Sequence, residues 1–283
     1  MVNRNRHIVR NIFPGERWLY LKIYGGVNMC DILLVDTIYP LIKSLLRRGL
    51  ITRWFFIRYA DPDFHLRVRV ELADDNRLAY VLQAFNKKLF PLCCQRRLHK
   101  VVIDTYEREL ERYGMDMMDL TESLFDIDSH CVCRLLRSQQ RHDRWQMAFV
   151  WIDKMLYALG YTLEEKREII GRMSKGYLNE FGFNQHNIKS LANRYRQLRQ
   201  PIANLMNTEI SNVSFKKTTN SSLKRIAKAL HEQDVSKLNI TALLHMSMNR
   251  LFADQNRLCE LVIYYCLEKH YHSEMKKRDN VIK

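Results

Sequence analysis

Strict alternation of apolar and basic side chains predicts a β-strand over residues 64–70. The two sides of this strand are formed by Leu66, Val68 and Val70 on one and by His65, Arg67 and Arg69 on the other. A second run of aromatic and β-branched residues, 53–59, precedes it, and Ala60-Asp-Pro-Asp63 between the two runs is a turn signal. The pattern therefore predicts a β-hairpin over residues 53–70.

The length of the turn determines which residues lie on the polar face of this hairpin. With Ala60 to Asp63 as the loop, Tyr59 pairs with Phe64, and Arg58 faces His65. The predicted polar face then carries Arg58, His65, Arg67 and Arg69, bordered by Trp54 and Phe56. Like charges this close repel each other, so the face predicts an anionic partner, either a protein carboxylate or a ligand. A solvated outer strand face is the alternative interpretation.

The flanking segments complete an α+β pattern. Residues 17–24 alternate as a strand, and residues 29–49 have helical periodicity that Pro40 should kink or divide and that Gly49 should end. A helix over 74–90 and a strand over 100–106 follow. We therefore expect a small antiparallel sheet in the N-terminal part, packed with a largely helical C-terminal part.

Helical periodicity dominates the second half of the chain. The predicted helices cover 117–136, 142–160, 162–178, 186–206, 220–231 and 238–272, and the polar stretch 206–222 is the best candidate for a flexible loop. No clean boundary divides the chain, so we expect one domain over 1–283. Its parts would be an α+β part over 1–115 that holds the hairpin, a helical part over 116–272 and a charged, frayed tail over 273–283.

Composition narrows the range of functions. The formal charge of +15 over 283 residues suits nucleic acid, an acidic membrane surface or an acidic protein substrate. The seven cysteines have neither CxxC spacing nor suitably placed histidines, which favours free thiols in a reducing cytosol over a metal site. No apolar run is long enough for a signal peptide or a membrane span, and we expect a soluble cytoplasmic protein. Nucleotide-binding, zinc-protease and serine-hydrolase motifs are absent from the sequence.

Three further groups of residues could carry chemistry. Tyr106, Glu109 and Arg112 are three residues apart and would share one face of a helical turn, although a surface charge ladder gives the same pattern. In the segment 124–129, Asp128 or Ser129 is expected to cap a helix. In the predicted helix 238–272, His245, Asn249, Asn256 and Glu260 form a polar stripe beside an apolar seam. A histidine in that position is more often packed and hydrogen-bonded than catalytic.

Together these blocks resemble one family. They are Arg17-Trp-Leu-Tyr with Tyr24-Gly25, the segment 54–69, the segment 105–114, Leu124-Phe-x-x-Asp-Ser129, Arg144-Trp145 and His245-x-x-x-Asn-Arg-Leu251. In this order they resemble the C-terminal elimination domain of class I lantibiotic dehydratases, which also occurs as stand-alone proteins of thiopeptide-type bacteriocin biosynthesis. The resemblance covers about residues 16 to 270. One departure is Met115, where the family often has a second glycine.

The resemblance implies β-elimination of glutamate from glutamylated Ser or Thr of a precursor peptide, which gives dehydroalanine or dehydrobutyrine. It implies no metal or organic cofactor. The implied partners are the glutamylated peptide and a separate glutamylating dehydratase subunit, with a cyclase and a second copy of the chain as further possible partners.

The chemistry agrees with the residue types. An elimination needs a cationic or hydrogen-bonding cradle for the enolate and for the departing carboxylate, and arginine pairs bidentately with carboxylates. The family match implies that Arg67 or Arg69 and Arg112 grip the glutamyl group or the enolate, with His245 as the proton-transfer residue, either base or acid. The predicted substrate-binding residues are Arg58, His65, Tyr106, Asn249 and Arg250.

Two other functions remain open from the sequence. A sister branch of the same fold, the pyridine synthases of thiopeptide assembly, joins two dehydroalanines in a formal [4+2] cycloaddition and tends to have lost the elimination residues. The presence of Arg67, Arg69, Arg112 and His245 together favours elimination. The third hypothesis is a non-catalytic subunit that only binds the precursor peptide.

Overall fold

A computed structural model describes residues 9–138, 144–184, 186–207, 213–231 and 233–282. The strands are β1 (Asn11–Ile12), β2 (Trp18–Tyr24), β3 (Ile51–Ala60), β4 (Phe64–Leu72), β5 (Lys100–Asp104) and β6 (Tyr106–Glu107). The helices are α1 (Val27–Ile32), α2 (Tyr39–Arg47), α3 (Leu78–Cys94), α4 (Leu110–Tyr113), α5 (Met118–Ser138), α6 (Arg144–Ala158), α7 (Leu163–Glu180), α8 (Lys189–Asn207), α9 (Val213–Ala229), α10 (Ile240–Leu251) and α11 (Asn256–Ile282). This content confirms the predicted α+β class.

The described residues form two compact units. The first takes in those of Met1–Cys133 and Glu232–Ala253, and the second those of Arg134–His231 and Asp254–Lys283. The first unit contains the predicted sheet, which is antiparallel with the strand order β3-β4-β2-β5, and a small pair formed by β1 and β6.

The predicted hairpin is present, but its predicted pairing is wrong by one residue. Ala60 pairs with Phe64, so the loop holds only Asp61 to Asp63, and Tyr59 is the partner of His65. Because side chains alternate along a strand, a shift of one residue exchanges the two faces of β3. Arg58, which pairs with Leu66, therefore lies on the face opposite to His65.

The two faces of the sheet differ in character. We call the face that carries the alternating apolar residues of β2 and β4 the inner face, and the other the cleft face. The inner face is formed by Leu19, Leu21, Ile23, Leu66, Val68, Val70, Trp54, Phe56 and Arg58, all buried. The cleft face carries Tyr20, Lys22, Tyr24, His65, Arg67, Arg69, Phe55, Ile57 and Tyr59. Trp54 and Phe56, predicted to border the polar face, thus lie on the other side.

The first helical segment is divided where the sequence contains a proline. A π-helical turn, Leu33–Ile38, separates α1 from α2, and Pro40 lies in the first turn of α2. Gly49 follows α2 with φ +64°, and its N–H donates to the Leu46 carbonyl over 3.0 Å. This arrangement is the glycine helix end that the sequence predicts.

Side chains of α5 and α10 cover the free edge of β3. The backbone N–H groups of Trp54 and Phe56 donate to Asp126 Oδ1 over 3.1 Å and to Ser129 Oγ over 3.3 Å. Neither Asp128 nor Ser129 caps a helix as predicted, because both lie within α5. Their oxygens instead meet polar groups of the sheet edge and of α10, which prevents the edge from pairing with another strand.

The helix predicted over 238–272 is two helices. Phe252 ends α10 in an extended conformation, and Gln255 has φ +48° before α11 begins. Asp254 Oδ1 accepts the N–H of Gln255 over 2.7 Å, a local bond that competes with helix continuation. His245 and Glu260, which the predicted single helix placed on one stripe, belong to different units.

The described residues of the second unit form helices joined by short connections, with no strand among them. Its α11 contacts α6, α7 and α8, and it continues to Ile282 through the segment predicted as a frayed tail. The predicted loop over 206–222 is wrong in its second part, because α9 begins at Val213, whereas residues 208–212 lie outside the described residues. Thr219 and Ser222 are buried in this helix, and Ser221 Oγ donates to the Thr218 carbonyl over 3.0 Å. Tertiary burial here overrides the low helix propensity of the polar run.

Candidate functional site

A cleft of about 320 Å³ opens on the cleft face of the first unit. Strands β2 and β4 supply its floor, and the segment after β5 supplies one wall. The residues that line it are Arg10, Tyr20, Lys22, Arg67, Arg69, Asp104, Thr105, Glu107, Arg108, Glu109 and Glu111. Adjacent strands place Tyr20 beside Arg69 and Lys22 beside Arg67, because these residues are register partners. The predicted arginines Arg67 and Arg69 therefore lie together in one concave site.

Arg67 is held between a ring and a histidine. Its guanidinium carbon lies 3.4 Å from the centre of the Tyr59 ring, and its Nε–H donates to His65 Nε2 over 3.2 Å. The imidazole of His65 is 1% exposed and stacks on Tyr24, with ring centres 4.5 Å apart. Burial lowers the pKa of His65 below its ordinary value.

Arg69 lies in a cage of aromatic rings. Its guanidinium carbon is 4.3 Å from the centre of the Tyr20 ring, 4.7 Å from that of Tyr106 and 5.3 Å from that of Phe55. The residue is 8% exposed, and its Nε atom has no hydrogen-bond partner within the described residues. Aromatic faces attract a guanidinium through the ring quadrupole but do not neutralise it. The cage therefore orders a cation whose full charge remains available to the cleft.

Tyr106, which forms part of the cage, is held by Glu122. Tyr106 lies in β6 and not on a helical turn with Glu109 and Arg112, since α4 begins only at Leu110. Its hydroxyl donates to Glu122 Oε1 over 2.9 Å, and Arg108 donates to both oxygens of the same carboxylate. Burial raises the pKa of Tyr106 well above that of a free tyrosine. Tyr106 is thus a neutral hydrogen-bond donor whose ring faces Arg69.

The charges of the cleft are only partly balanced. Lys22 pairs with Asp104, and Arg10 pairs with Glu111 at the rim. The Asp104 carboxylate raises the pKa of Lys22, so this lysine is charged. Across the part of the chain that the structure describes, Arg67 and Arg69 form no ion pair with a carboxylate. Two adjacent guanidinium groups that form no ion pair with the described carboxylates fit an anionic ligand with two acceptor oxygens.

In the part of the chain that the structure describes, the lining of this cleft includes neither Arg112 nor His245. Arg112 lies in α4, and its Nη1 donates to the cleft residue Glu109 over 3.1 Å. His245 is half-buried in α10. The start of α10 is tied to α4, because Asn239 Nδ2 donates to the Arg112 carbonyl over 2.9 Å. Convergence of His245 on the two cleft arginines stays a prediction.

Arg58, Asn249 and Arg250 form a separate cluster at the β3 edge. Asn249 accepts the N–H of Arg58 over 2.9 Å and donates to its carbonyl over 3.0 Å. The Arg58 side chain donates to Asp31 Oδ1 and to the Arg250 carbonyl. Arg250 is fully buried and donates to Asp128 Oδ2 over 2.8 Å and to the Phe56 carbonyl over 2.8 Å. These bonds attach α10 to the sheet, while substrate contact by the three residues stays a prediction.

Sequence reasoning found His65 and Tyr106 but missed the other groups that order the two arginines. The cleft also contains Tyr20, Lys22 and Asp104, and Phe55 and Tyr59 face it from β3. The run of aromatic residues on β3 is a usable signal, but a hairpin register that is one residue off assigns the wrong aromatic residues to the polar face. The pairing of β2 with β4 leaves no local signal in either segment.

Neither a metal site nor a membrane span is found in the part of the chain that the structure describes. Within the described ranges, no three His, Cys, Asp or Glu side chains are grouped as metal ligands. None of the helices in those ranges has the length and apolar character of a membrane span.

Comparisons with known proteins agree with the fold and with the predicted family. The family model described as "Lantibiotic biosynthesis dehydratase C-term" matches residues 18–271. The chain therefore belongs to the family of lantibiotic dehydratase C-terminal domains. Two curated relatives are the nisin biosynthesis protein NisB of Lactococcus lactis subsp. lactis, 27% identical over 94% of this chain, and the subtilin biosynthesis protein SpaB of Bacillus subtilis, 26% identical over 93%. The chain spans 26% of the length of each.

Solved structures show the same fold at low sequence identity. The tRNA-dependent lantibiotic dehydratase MibB from Microbispora sp. 107891 superposes with a TM-score of 0.66 at 19% identity, over 94% of this chain and 29% of that one. The pyridine synthase TbtD from thiomuracin biosynthesis superposes with a TM-score of 0.61 at 13% identity, over 91% of this chain and 100% of that one. The fold is thus common to a dehydratase and to a pyridine synthase, and the site residues must distinguish between the two.

Proposed function

We propose that this protein eliminates glutamate from glutamylated Ser or Thr residues of a precursor peptide and so forms dehydroalanine or dehydrobutyrine. The observation that carries the proposal is the pair Arg67 and Arg69, two ordered guanidinium groups in one cleft without a carboxylate partner among the described residues. Membership of the lantibiotic dehydratase C-terminal family supports the same reaction class.

The reaction needs anion binding at two points. The Cα–H bond of the glutamylated residue breaks and its proton passes to a base. The electron pair forms the Cα–Cβ double bond, and the Cβ–O bond breaks, so that glutamate leaves as a carboxylate. Negative charge develops on the carbonyl oxygen of the modified residue and on the leaving oxygen. Arg67 and Arg69 would bind these oxygens, because a guanidinium stays protonated and presents paired donors.

Arg112 and His245 complete the proposed site. His245 is the proton-transfer residue, since an imidazole can accept or donate a proton near neutral pH. Arg112 is the third anion-binding group, beside Glu109 at the rim of the cleft. Arg58, Asn249 and Arg250 would affect the site through α10, because their hydrogen bonds fix this helix to β3. The glutamylated peptide is the proposed substrate, and a separate glutamylating subunit is its proposed source.

Incubation of the purified chain with a chemically glutamylated peptide tests the reaction directly. We expect release of free glutamate and a peptide that has lost the mass of glutamic acid, as followed by mass spectrometry. In His245→Ala and Arg112→Ala, the glutamylated peptide should persist. Unchanged turnover in both variants would refute their assignment, and an inactive but folded wild-type protein would refute the elimination.

The same assay separates the alternative functions. A pyridine synthase would leave the glutamylated peptide unchanged but would convert a peptide that already holds two dehydroalanines. A binding subunit would retain the peptide, as measured by fluorescence anisotropy, and would change neither substrate.

A further inference from the structure

The imidazole of His65 is fixed from both sides by its strand neighbours. Tyr24 on β2 and Tyr59 on β3 are its register partners, and their ring centres lie 4.5 and 5.5 Å from that of the imidazole. The side chain is 1% exposed, so contact with a bulky substrate would require it to move. A direct role in binding is therefore less consistent with its position than a role through a neighbour.

Its two hydrogen bonds select one form of the ring. Nδ1 lies 2.8 Å from the carbonyl oxygen of Asp63, which can only accept, so Nδ1 carries the proton. Nε2 lies 3.2 Å from Nε of Arg67, which can only donate. Only the neutral imidazole with its proton on Nδ1 satisfies both bonds at once. The Nε atom of Arg67 is thereby committed to His65, and its guanidinium face is committed to Tyr59.

We propose that His65 is a positioning residue: its neutral Nδ1–H form accepts the Nε–H bond of Arg67 and holds that guanidinium in the cleft for the oxygens of the reacting ester. The inference depends on the proposed function only for the identity of the bound anion. The contact between His65 and Arg67 is a property of the folded protein, whatever the anion is.

Protonation of His65 would disrupt this contact. The charged and titratable groups that face the ring are Arg67 on β4, Lys22 and Tyr24 on β2, Tyr59 on β3 and Asp61 in the turn. Burial lowers the pKa of His65 most, and Arg67 and Lys22 act in the same direction, against the Asp63 carbonyl and Asp61. As the pH falls through this lowered pKa, Nε2 loses its lone pair and gains a charge beside Arg67. Positioning of Arg67 is therefore complete at neutral pH and lost in acid.

Nitrogen-15 NMR of labelled histidine tests the contact without any substrate. We expect His65 to show the Nδ1–H tautomer at neutral pH in the wild type. In Arg67→Met, the pKa of His65 should rise because an adjacent cation is removed. An Nε2–H tautomer, or a His65 pKa that does not respond to Arg67→Met, would overturn the inference.

Kinetics then test the role of the contact. His65→Phe retains a ring between the two tyrosines but has no acceptor, whereas His65→Gln can place an oxygen near the position of Nε2. Because His65→Phe removes a hydrogen bond to a charged group, its kcat/KM should be about ten- to a hundredfold lower than that of the wild type. In His65→Gln, kcat/KM should be within about threefold of wild type. The decrease of kcat/KM in acid should lose the part that protonation of His65 causes.

A double variant distinguishes positioning from a merely structural effect. If His65 acts through Arg67, His65→Phe should lower kcat/KM by less than about twofold in an Arg67→Met background. An equal loss in both backgrounds would overturn the inference. If the wild type shows no elimination, the proposed function fails, and the tautomer and pKa measurements still decide the role of His65.

Discussion

At the scale of single residues, six arginines of the first unit form two groups. Four largely buried ones each pair with a carboxylate: Arg53 with Glu71, Arg58 with Asp31, Arg108 with Glu122 and Arg250 with Asp128. Arg67 and Arg69 instead contact aromatic rings, and they have no carboxylate partner in the ranges that the structure covers. Burying a charge without a partner is costly. The contrast agrees with the proposal that Arg67 and Arg69 bind a ligand, whereas the four paired arginines stabilise the fold.

Removal of a structural arginine should affect stability strongly. Arg250→Met leaves the buried Asp128 carboxylate without its main partner and the Phe56 carbonyl without a donor. We expect a loss of about 3–5 kcal/mol in the free energy of unfolding, measured by urea denaturation. Arg77→Met is the matched control, since Arg77 pairs with Asp74 at an exposed site, and it should cost less than about 1 kcal/mol.

The double variant Arg250→Met with Asp128→Leu gives a second readout. Replacing both charges removes the uncompensated carboxylate, so it should recover part of the lost stability. Equal stability of Arg250→Met and Arg77→Met would show that the Arg250 pair contributes nothing to the fold.

At the scale of secondary structure, the sequence predicts the elements better than their pairing. Alternation places His65, Arg67 and Arg69 on one side of β4, as the structure shows. It does not fix the loop length, because the residue types on both faces of β3 allow either register, and the predicted register places Arg58 on the wrong face. The sequence does not predict the separation of α10 from α11, because the seven-residue step from Leu251 to Leu258 keeps helical spacing across the break.

Two glycines test the helix ends and helix interiors. Gly49 has φ +64°, and no atom of the described residues lies within 4 Å of the place that an added methyl group would take. Gly49→Ala should therefore cost about 1 kcal/mol through backbone strain alone. Gly176 lies exposed inside α7 with equally open space, so Gly176→Ala should stabilise the protein by about 0.5–1 kcal/mol. Urea denaturation of both variants measures these effects. Equal signs for the two substitutions would contradict the assignment of strain to Gly49.

At the scale of the whole molecule, the family and the class of fold could be predicted from the sequence. Six ordered blocks identify the family, and the family model matches residues 18–271. The cleft could not be predicted in full, because its floor depends on the pairing of β2 with β4, and its wall follows β5. Those contacts join segments far apart in the chain. Local patterns indicate which residues are charged, and only the fold shows which charges lack a partner.

The role of Arg67 and Arg69 as the anion-binding pair is tested most directly by the rate of glutamate release. The substrate is a glutamylated peptide, and the proteins compared are wild type, Arg67→Met, Arg69→Met and the surface control Arg77→Met. Both cleft variants should retain their fold, as judged by circular dichroism, and should release glutamate at least about a hundredfold more slowly, while Arg77→Met matches wild type. Wild-type rates in both cleft variants would contradict the proposed role of the two arginines.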